Sequence, residues 1–600
     1  YSFDGATTIT AASGDTIDIG AGAATTFTTA ADNITFATGN IELADGSNLT
    51  VDTGATGGNI TIGEIAGTTV ETVTLDAGTG TTSVGVIGSG TEIGAVTIGS
   101  AENGGITLNG AITTDGAVTI DGPVTLATGA VSVTTANDAI TFNHTINGAQ
   151  ALTLVSGTAA TTLSGDIGAT TPLTGLTITN GTANGTITFG GNIGDGSGAG
   201  VEGTTLIGNT NTADLNFNST IYSFDGATTI TAASGDTIDI GAGAATTFTT
   251  AADNITFATG NIELADGSNL TVDTGATGGN ITIGEIAGTT VETVTLDAGT
   301  GTTSVGVIGS GTEIGAVTIG SAENGGITLN GAITTDGAVT IDGPVTLATG
   351  AVSVTTANDA ITFNHTINGA QALTLVSGTA ATTIDGTIGG STAISSLTIT
   401  NGTANGTIEI ANIEGVSGAT AIGNTNTATI TLDGTTYSTD DTQTYTAATG
   451  QNIDITGAAT FTTTNDNISF ATSGVDLANN GTTTINTGTG AGTVTFGAAI
   501  EGNSATAPFN DLLVITSGTG TVTFTGAVGA TNALGGLDVN SSAGNATITF
   551  TSTIGDTGNA GVVGTTAIGN DTTADLNFNG ATYSFDGATT ITAASGDTID

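Results

Sequence analysis

The chain has 600 residues, of which 52 are Asp or Glu and none is Lys or Arg, so its formal net charge is −52. A surface without cationic side chains cannot neutralise phosphates, which excludes nucleic-acid binding and disfavours docking on an anionic membrane. Cys and Met are also absent, which excludes disulfides and thiol chemistry, and no apolar run approaches the roughly 18 residues of a membrane-spanning helix.

The segment 1–18, YSFDGATTITAASGDTID, returns at residue 222 and again at residue 583, and residues 1–162 are identical to 222–383 at an offset of 222 − 1 = 221. We therefore divide the sequence into a long module 1–221, a second long module 222–442, a shorter diverged module 443–582 and the start of the next repeat at 583–600. We expect these to form one continuous solenoid that is part of a longer tandem array.

The landmark Ile388 follows Ile167 at 388 − 167 = 221 and precedes Val528 at 528 − 388 = 140. These intervals are close to 11 and 7 units of about 20 residues, a length typical of stacked repeats. The modules differ by 221 − 140 = 81 residues, or about four such units. A solenoid can lose four units because each coil contacts only its neighbours, whereas one globular core cannot.

Short apolar–polar–apolar triplets recur and are separated by Gly, Asn or Asp. The period-two alternation predicts strands with one buried face, in Val118/Ile120, Val124/Leu126, Val131/Val133 and Ile140/Phe142. An antiparallel sandwich would also use short strands, but the coil-length increments favour a right-handed parallel β-helix with coils of about 20 residues and no helices.

Turn dipeptides mark the predicted corners. They supply positive φ angles in many turns and occur here at Asn109-Gly110, Asp115-Gly116, Asp121-Gly122 and Asn147-Gly148. Their spacing of about six residues predicts three corners per coil. Pro123 and its counterpart Pro344 follow Asp-Gly and are expected to open a strand, where the missing N–H costs no ladder hydrogen bond.

The phrase FNHTINGAQALTLVSGTAATTLSGDIGATTPLTGLTIT at Phe142–Thr179 resembles the degenerate repeats of bacterial filamentous-haemagglutinin-like surface proteins. That resemblance implies a secreted β-helical fibre or adhesin stalk at the cell surface. The chain departs from the family pattern in its lack of Lys and Arg and in its long identical duplication.

His144 and His365 are the only histidines, and they occupy one repeat position seen twice, since 365 − 144 = 221. A catalytic or metal-binding histidine needs a cluster of partners. The local sequence FNHTING offers none, so we expect a solvent-facing corner or strand residue.

Asp440-Asp441 is the one adjacent acidic pair, and it has no counterpart in the long modules. Most other aspartates are explained by turns, as at Asp4, Asp115, Asp121 and Asp195. Since β-helical lyases also need Arg or Lys to bind uronates, we expect no enzymatic activity and no catalytic, cofactor or metal site. Calcium or another divalent cation is expected only as a diffuse counter-ion.

Thr-x-Thr segments raise one further alternative, an ice-binding threonine surface. They occur at Thr8-Ile9-Thr10, Thr72-Val73-Thr74, Thr177-Ile178-Thr179 and Thr186-Ile187-Thr188. Irregular coil lengths argue against it, and the polar side of a solvated sheet explains the threonines.

The sequence thus favours an extracellular structural fibre, either an adhesin stalk or a self-associating sheath. Glycan binding is a distant alternative. The expected partners are copies of the chain itself, or a neighbouring cell surface reached through a tip elsewhere in the protein.

Overall fold

The computed structural model describes residues 1–20, 22–68, 70–102, 104–241, 243–289, 291–477, 481–502 and 509–600. The chain divides into two compact units, Tyr1–Ser304 and Val305–Asp600. In the described residues there are 63 strands and no helix, and the strands form a parallel β-solenoid of about 24 turns with a spacing of roughly 24 residues. The predicted fold class is confirmed, while the coil is longer than predicted.

Each turn of the first unit contributes a strand or a single bridge to each of three faces. On the first face lie β1 Thr7–Thr10, β4 Ile34–Thr38, the first halves of β7 Ile60–Ala66 and β9 Thr82–Ile87, β11 Ile106–Leu108, β14 Val124–Leu126, β17 Ile146–Asn147, β24 Ile221–Ser223, β27 Thr246–Thr249, β30 Leu270–Asp273 and β32 Val294–Asp297. Single bridges at Ile167 and Ile193 continue this face between β17 and β24.

The second face contains β2 Thr16–Ile19, β5 Asn40–Leu43, the ends of β7 and β9, β12 Ile112–Thr114, β15 Val131–Thr135, β18 Ala151–Ser156, β20 Gly175–Asn180, β22 Thr205–Ile207, β25 Thr228–Thr231, β28 Ile255–Thr259 and the start of β31 Ile281–Ala287. The third face contains β3 Thr25–Thr28, β6 Leu49–Asp52, β8 Val73–Asp76, β10 Val96–Gly99, β13 Val118–Asp121, β16 Ile140–Phe142, β19 Thr161–Leu163, β21 Gly185–Phe189, β23 Thr212–Phe217, β26 Thr237–Ile240, β29 Asn261–Leu264 and the end of β31.

The second unit has the same three-faced arrangement. One face contains β36 Ile333–Thr335, β39 Val352–Thr356, β42 Ala372–Ser377, β44 Ser396–Asn401, β46 Thr420–Ile422, β49 Gln443–Tyr445, β52 Ile468–Phe470, β55 Val494–Phe496, β58 Val522–Phe524, β60 Ala546–Phe550 and β62 Thr573–Phe578, preceded by the end of β33 Thr302–Ile308.

The next face of this unit contains β34 Val317–Gly320, β37 Val339–Asp342, β40 Ile361–Phe363, β43 Thr382–Ile384, β45 Gly406–Ile410, β47 Thr427–Leu432, β50 Asn452–Ile455, β53 Gly474–Leu477 and β56 Ile500–Gly502. The remaining face contains β35 Gly326–Leu329, β38 Val345–Leu347, β41 Ile367–Asn368, β48 Thr436–Ser438, β51 Ala459–Thr462, β54 Thr482–Asn486, β57 Leu512–Ser517, β59 Gly536–Ser541, β61 Thr566–Ile568 and β63 Thr589–Ile591.

The core of each unit is built by the alternation seen in the sequence. Val118 and Ile120 are fully buried, and the threonine between them projects outward. In register, Val118 pairs with Ile140 of the next turn and Ile120 pairs with Phe142. Aliphatic columns therefore run along the inside of the solenoid, and burial of this apolar surface is the main stabilising term.

The predicted coil of about 20 residues rests on dividing the landmark intervals into 11 and 7 units, and it is too short because corner lengths vary from turn to turn. On the first face Val124 pairs with Ile106 of the preceding turn, and 124 − 106 = 18. On the third face Leu215 pairs with Ile187, and 215 − 187 = 28, because the Gly-rich corner after β21 is long. Corners thus absorb the variation, and the strands stay aligned.

The 221-residue repeat is not a whole number of turns. On the first face nine successive pairings lead from Thr7 to Tyr222, and the next strand, β25, holds Thr228, the equivalent of Thr7. Thr228 pairs with Thr205, so it belongs to the second face. The repeat therefore spans nine turns and one strand, and a given segment returns on the next face.

The glycines of the predicted corners are needed for a different reason than expected. Of the four turn dipeptides, only the one ending at Gly148 has a positive φ, of 127°. A side chain at Gly116 would contact the backbone nitrogen of Ala95 at 2.9 Å. Gly116 is thus required by the close approach of successive corners. Pro123 lies exposed just before β14, as predicted.

Candidate functional site

The two histidines lie at equivalent corners, each beside a carboxylate of the preceding turn. Nε2 of His144 is 3.3 Å from Oδ1 of Asp121, and both side chains are 31% exposed. The corresponding atoms of His365 and Asp342 are 3.4 Å apart. Since 144 − 121 = 23, the partner lies one turn away and is absent from the local sequence FNHTING. One imidazole and one carboxylate are fewer ligands than a structural zinc site has.

Asp440 and Asp441 are held by separate corner contacts. Oδ1 of Asp441 accepts a hydrogen bond from the backbone nitrogen of Thr442 at 2.6 Å, and Oδ1 of Asp440 accepts one from the hydroxyl of Thr464 at 3.3 Å. Within the described ranges, no group of three or more His, Cys, Asp or Glu side chains could hold a metal ion. The hydrogen bonds to Thr442 and Thr464 hold the two carboxylates separately and do not join them as a pair for acid–base chemistry.

Asp195 illustrates the turn role predicted for the isolated aspartates. Its Oδ1 accepts hydrogen bonds from the hydroxyl and backbone nitrogen of Ser197, both at 2.8 Å, and from the backbone nitrogen of Gly198 at 3.1 Å. These bonds, led by the one from the Ser197 hydroxyl, hold the pKa of Asp195 below its ordinary value. The ionised carboxylate therefore closes the corner loop.

The threonines form a more regular surface than the sequence suggested. On the third face, one outward threonine per turn stacks in register over eight consecutive turns, at Thr26, Thr50, Thr74, Thr97, Thr119, Thr141, Thr162 and Thr188. The irregular coil lengths do not break this column because the corners absorb them. The outward positions on either side of Thr97 are Ala95 and Gly99, so the threonine column is single at that turn.

A buried glutamate was missed by sequence reasoning. Glu71 is fully buried, and its carboxylate accepts hydrogen bonds from the backbone nitrogen of Gly46 at 2.9 Å and from the backbone nitrogen and hydroxyl of Thr68 at 2.6 and 2.5 Å. Burial acts to raise the pKa of Glu71, but these hydrogen bonds outweigh it and leave the pKa below its ordinary value. Glu292 repeats the arrangement.

This carboxylate fastens a corner to the preceding turn, because Gly46 lies 25 residues before Glu71. The spacing Thr68-x-x-Glu71 is that of a helix capping box, and this motif is the sequence feature from which the contact could have been predicted. Here the same Thr/Glu pairing closes a corner in an all-β chain.

Carboxylates also stack along one face of the second unit. Asp454 pairs in register with Asp476, and Asp476 pairs with Glu501, so three acidic residues occupy successive turns. Burial raises the pKa of all three groups. The negative charge of Asp454 raises the pKa of Asp476 further, and the charge of Asp476 does the same for Glu501. Repulsion between the stacked carboxylates disfavours their ionisation, and the chain has no Lys or Arg side chain to offset it.

Equivalent corner loops border three surface clefts. The first, of about 510 Å³, lies in the first unit beside residues 196–199 and Asp225. Two clefts of about 400 and 230 Å³ lie in the second unit beside Asp586 and Asp440. The smallest accompanies the shortest loop, 414–415, between the bridges at Ile413 and Val416. An equivalent aspartate lines each cleft, at Asp225, Asp586 and Asp440, and a glutamate also lines the first and the third, at Glu202 and Glu414; the other lining residues are uncharged.

No family model, curated protein or solved structure matches the chain. The resemblance of Phe142–Thr179 to filamentous-haemagglutinin-like repeats therefore stays a hypothesis. None of the described segments is a helix with the length and hydrophobicity to span a bilayer.

Proposed function

We propose that the chain is a structural segment of a very long β-helical fibre, exposed on or outside the cell, which serves as a stalk or filament shaft and has no active site. The observation that carries this proposal is the continuous parallel pairing of each turn with the next within each unit. In such an arrangement each turn is stabilised by its neighbours, so a tandem array can be extended by adding repeats.

The internal columns explain how such a shaft would resist deformation. In the second unit a column of stacked aromatic rings runs through Tyr445, Phe470, Phe496, Phe524, Phe550 and Phe578, with adjacent centroids 4.5–5.5 Å apart. Backbone ladder hydrogen bonds run parallel to this column. Bending or stretching the solenoid would disturb both sets of contacts at once.

The composition is consistent with an exposed location. Without Lys or Arg the chain has no site for trypsin-like proteases, and without Cys or Met it lacks the side chains most readily oxidised. A repeated surface also suits a structural role better than a single site, because residues 1–162 recur unchanged at 222–383.

Cryo-electron microscopy of the native, unfractionated material tests the proposal. We expect fibres with an axial repeat of about 4.8 Å, the spacing of paired strands. Fibres of fixed length that end in a distinct tip would support a stalk, whereas long fibres in lateral contact would support a sheath in which the solenoid is the material. Globular particles without the axial repeat would contradict both forms.

A further inference from the structure

One face of the first unit lacks carboxylates over seven consecutive turns. We define the neutral patch as residues 6–10, 33–37, 59–63, 81–85, 105–109, 123–127 and 145–148 of the first face, which contain no Asp or Glu. Over the early turns the second face presents Asp18 and Glu42, and the third face presents Asp52, Asp76 and Asp121. Further along the chain the second face also lacks Asp and Glu, over eight turns from 112–114 to 281–284.

The neutral patch is covered by small uncharged side chains in register. Its central column is Thr8, Thr35, Thr61, Ser83, Thr107, Thr125 and Asn147. Beside it, Oδ1 of Asn33 accepts a hydrogen bond from the backbone nitrogen of Asn59 at 2.8 Å, and Oδ1 of Asn59 accepts one from the backbone nitrogen of Thr81 at 2.9 Å. These side chains are fixed along the axis, so the surface is already ordered before it meets a partner.

The charge of the chain restricts which partner can use this surface. With a net charge of −52 and no Lys or Arg, two copies repel wherever carboxylates face each other. The neutral patch is a surface on which the backbones of two copies can approach without opposing carboxylates. We propose that two copies of this chain associate laterally through the neutral patch. This inference rests on the proposed structural role and names the surface that the role would use.

The size of the patch fits a weak contact that gains strength by repetition. Seven turns and five residues per turn give about 30 Å by 17 Å, or on the order of 500 Å² per copy and 1,000 Å² for a pair. That is near the lower limit for a specific interface. Several such contacts along one array would act together through their high effective concentration.

The one-strand offset of the repeat determines where the next contact lies. In the second copy of the repeat the patch begins near Thr228, on the second face, and its column continues through Thr229, Thr256 and Thr282. Each further identical repeat would move the patch by one face. Successive repeats would therefore contact neighbours on different sides, which builds a bundle and not a flat ribbon.

Sedimentation velocity of the 600-residue chain, with and without EDTA, tests the inference at about 0.1 M and 1 M NaCl, where the Debye length falls from about 10 to 3 Å. The patch variant carries Thr61→Glu, Thr107→Glu, Thr282→Glu and Thr328→Glu. The matched control carries Thr97→Glu, Thr141→Glu, Thr318→Glu and Thr362→Glu, which project outward on other faces and, like Thr61 and Thr107, are two turns apart. Circular dichroism checks that both variants fold.

We expect the wild type and the control to associate at 1 M NaCl and the patch variant to sediment as a monomer. The inference would be overturned if the wild type stays monomeric or if the patch variant associates like the control. It would also be overturned if EDTA abolishes the association. If the chain is monomeric and causes thermal hysteresis, the inference is also overturned, and ice binding becomes the function of the threonine surface. If the chain is monomeric in solution but the native fibres keep the axial repeat of about 4.8 Å, the lateral contact is refuted and the proposed structural role is retained.

Cysteine cross-linking gives a second measurement that does not depend on added charge. Because the chain has no Cys, Ser83→Cys places a single thiol at the centre of the patch, and Thr119→Cys places one on the third face, beside Asp121. We expect a short bis-maleimide to join Ser83→Cys chains into dimers at 1 M NaCl at least tenfold faster than Thr119→Cys chains. Equal rates would contradict the inference.

Discussion

The stacked aromatic column offers a direct test of what stabilises the solenoid. Phe524 is 1% exposed and lies between Phe496, at a centroid distance of 5.3 Å, and Phe550, at 4.5 Å, with interplanar angles of 6° and 2°. Phe363 of the same unit is equally buried but packs in register between Ile341 and Ile384. The pair therefore separates burial from aromatic stacking.

Both Phe524→Ala and Phe363→Ala remove a buried ring, which costs about 3–5 kcal/mol each. Phe524→Ala also removes two aromatic pairs, worth about 0.5–1.5 kcal/mol each beyond burial. We therefore expect the Phe524 variant to be destabilised by about 1–3 kcal/mol more than the Phe363 variant.

Native-state hydrogen exchange followed by mass spectrometry is the suitable assay, because a repeat array opens locally and a single unfolding free energy is poorly defined for it. The quantity compared is the opening free energy of peptides covering β58 and its neighbours, against peptides covering β40 and its neighbours. Equal losses at the two sites would show that stacking adds nothing beyond burial. A larger loss at Phe363 would refute the reasoning.

Three further perturbations test the polar and glycine contacts. Glu71→Gln with Glu292→Gln should cost about 1–3 kcal/mol of local opening free energy per site at neutral pH. Because the folded-state pKa of each carboxyl is lowered, this stabilisation should vanish as pH falls through it. A loss of opening free energy in hydrogen exchange that does not depend on pH would contradict the contact. Asp454→Asn should stabilise its turn at pH 7, because the raised folded-state pKa shows that burial disfavours the ionised carboxylate. For the same reason the wild type should gain stability as pH falls. We expect slower hydrogen exchange in the variant at pH 7, and faster exchange would contradict the prediction. Gly85→Ala should cost about 1–3 kcal/mol because its Cβ would overlap the carbonyl oxygen of Gly63, whereas Gly63→Ala meets open space and should be neutral or stabilising. Similar local opening free energies for the two variants in hydrogen exchange would contradict the difference.

The inward residues of the solenoid could be predicted from the sequence because strand alternation is a local property. Val118, Ile120, Val124 and Leu126 are all buried, and the threonines between them all project outward. The same pattern indicated parallel coiling with three corners per turn. It failed on coil length because the length of a turn is the sum of its corners, and corners such as the one after Phe189 vary without changing the strands.

The polar contacts could not be predicted because their partners are one turn apart. Glu71 receives a hydrogen bond from Gly46 of the preceding turn, and His144 lies against Asp121 of the preceding turn. The shorter turn expected from the spacing of the landmarks would have paired different residues. The register of each polar column is therefore decided only when the corner lengths are fixed in three dimensions.

The sequence by itself determined the strand pattern, the absence of cationic side chains and the 221-residue repetition, since each is carried by neighbouring residues or by composition. The tertiary structure decided that this repeat spans nine turns and one strand, so that Thr7 and Thr228 lie on different faces. It also decided that the carboxylate-free segments of seven turns align on one face. The physical reason is that axial hydrogen bonds align strands whatever the corner lengths, and only the summed lengths of the corners determine which residues share a face.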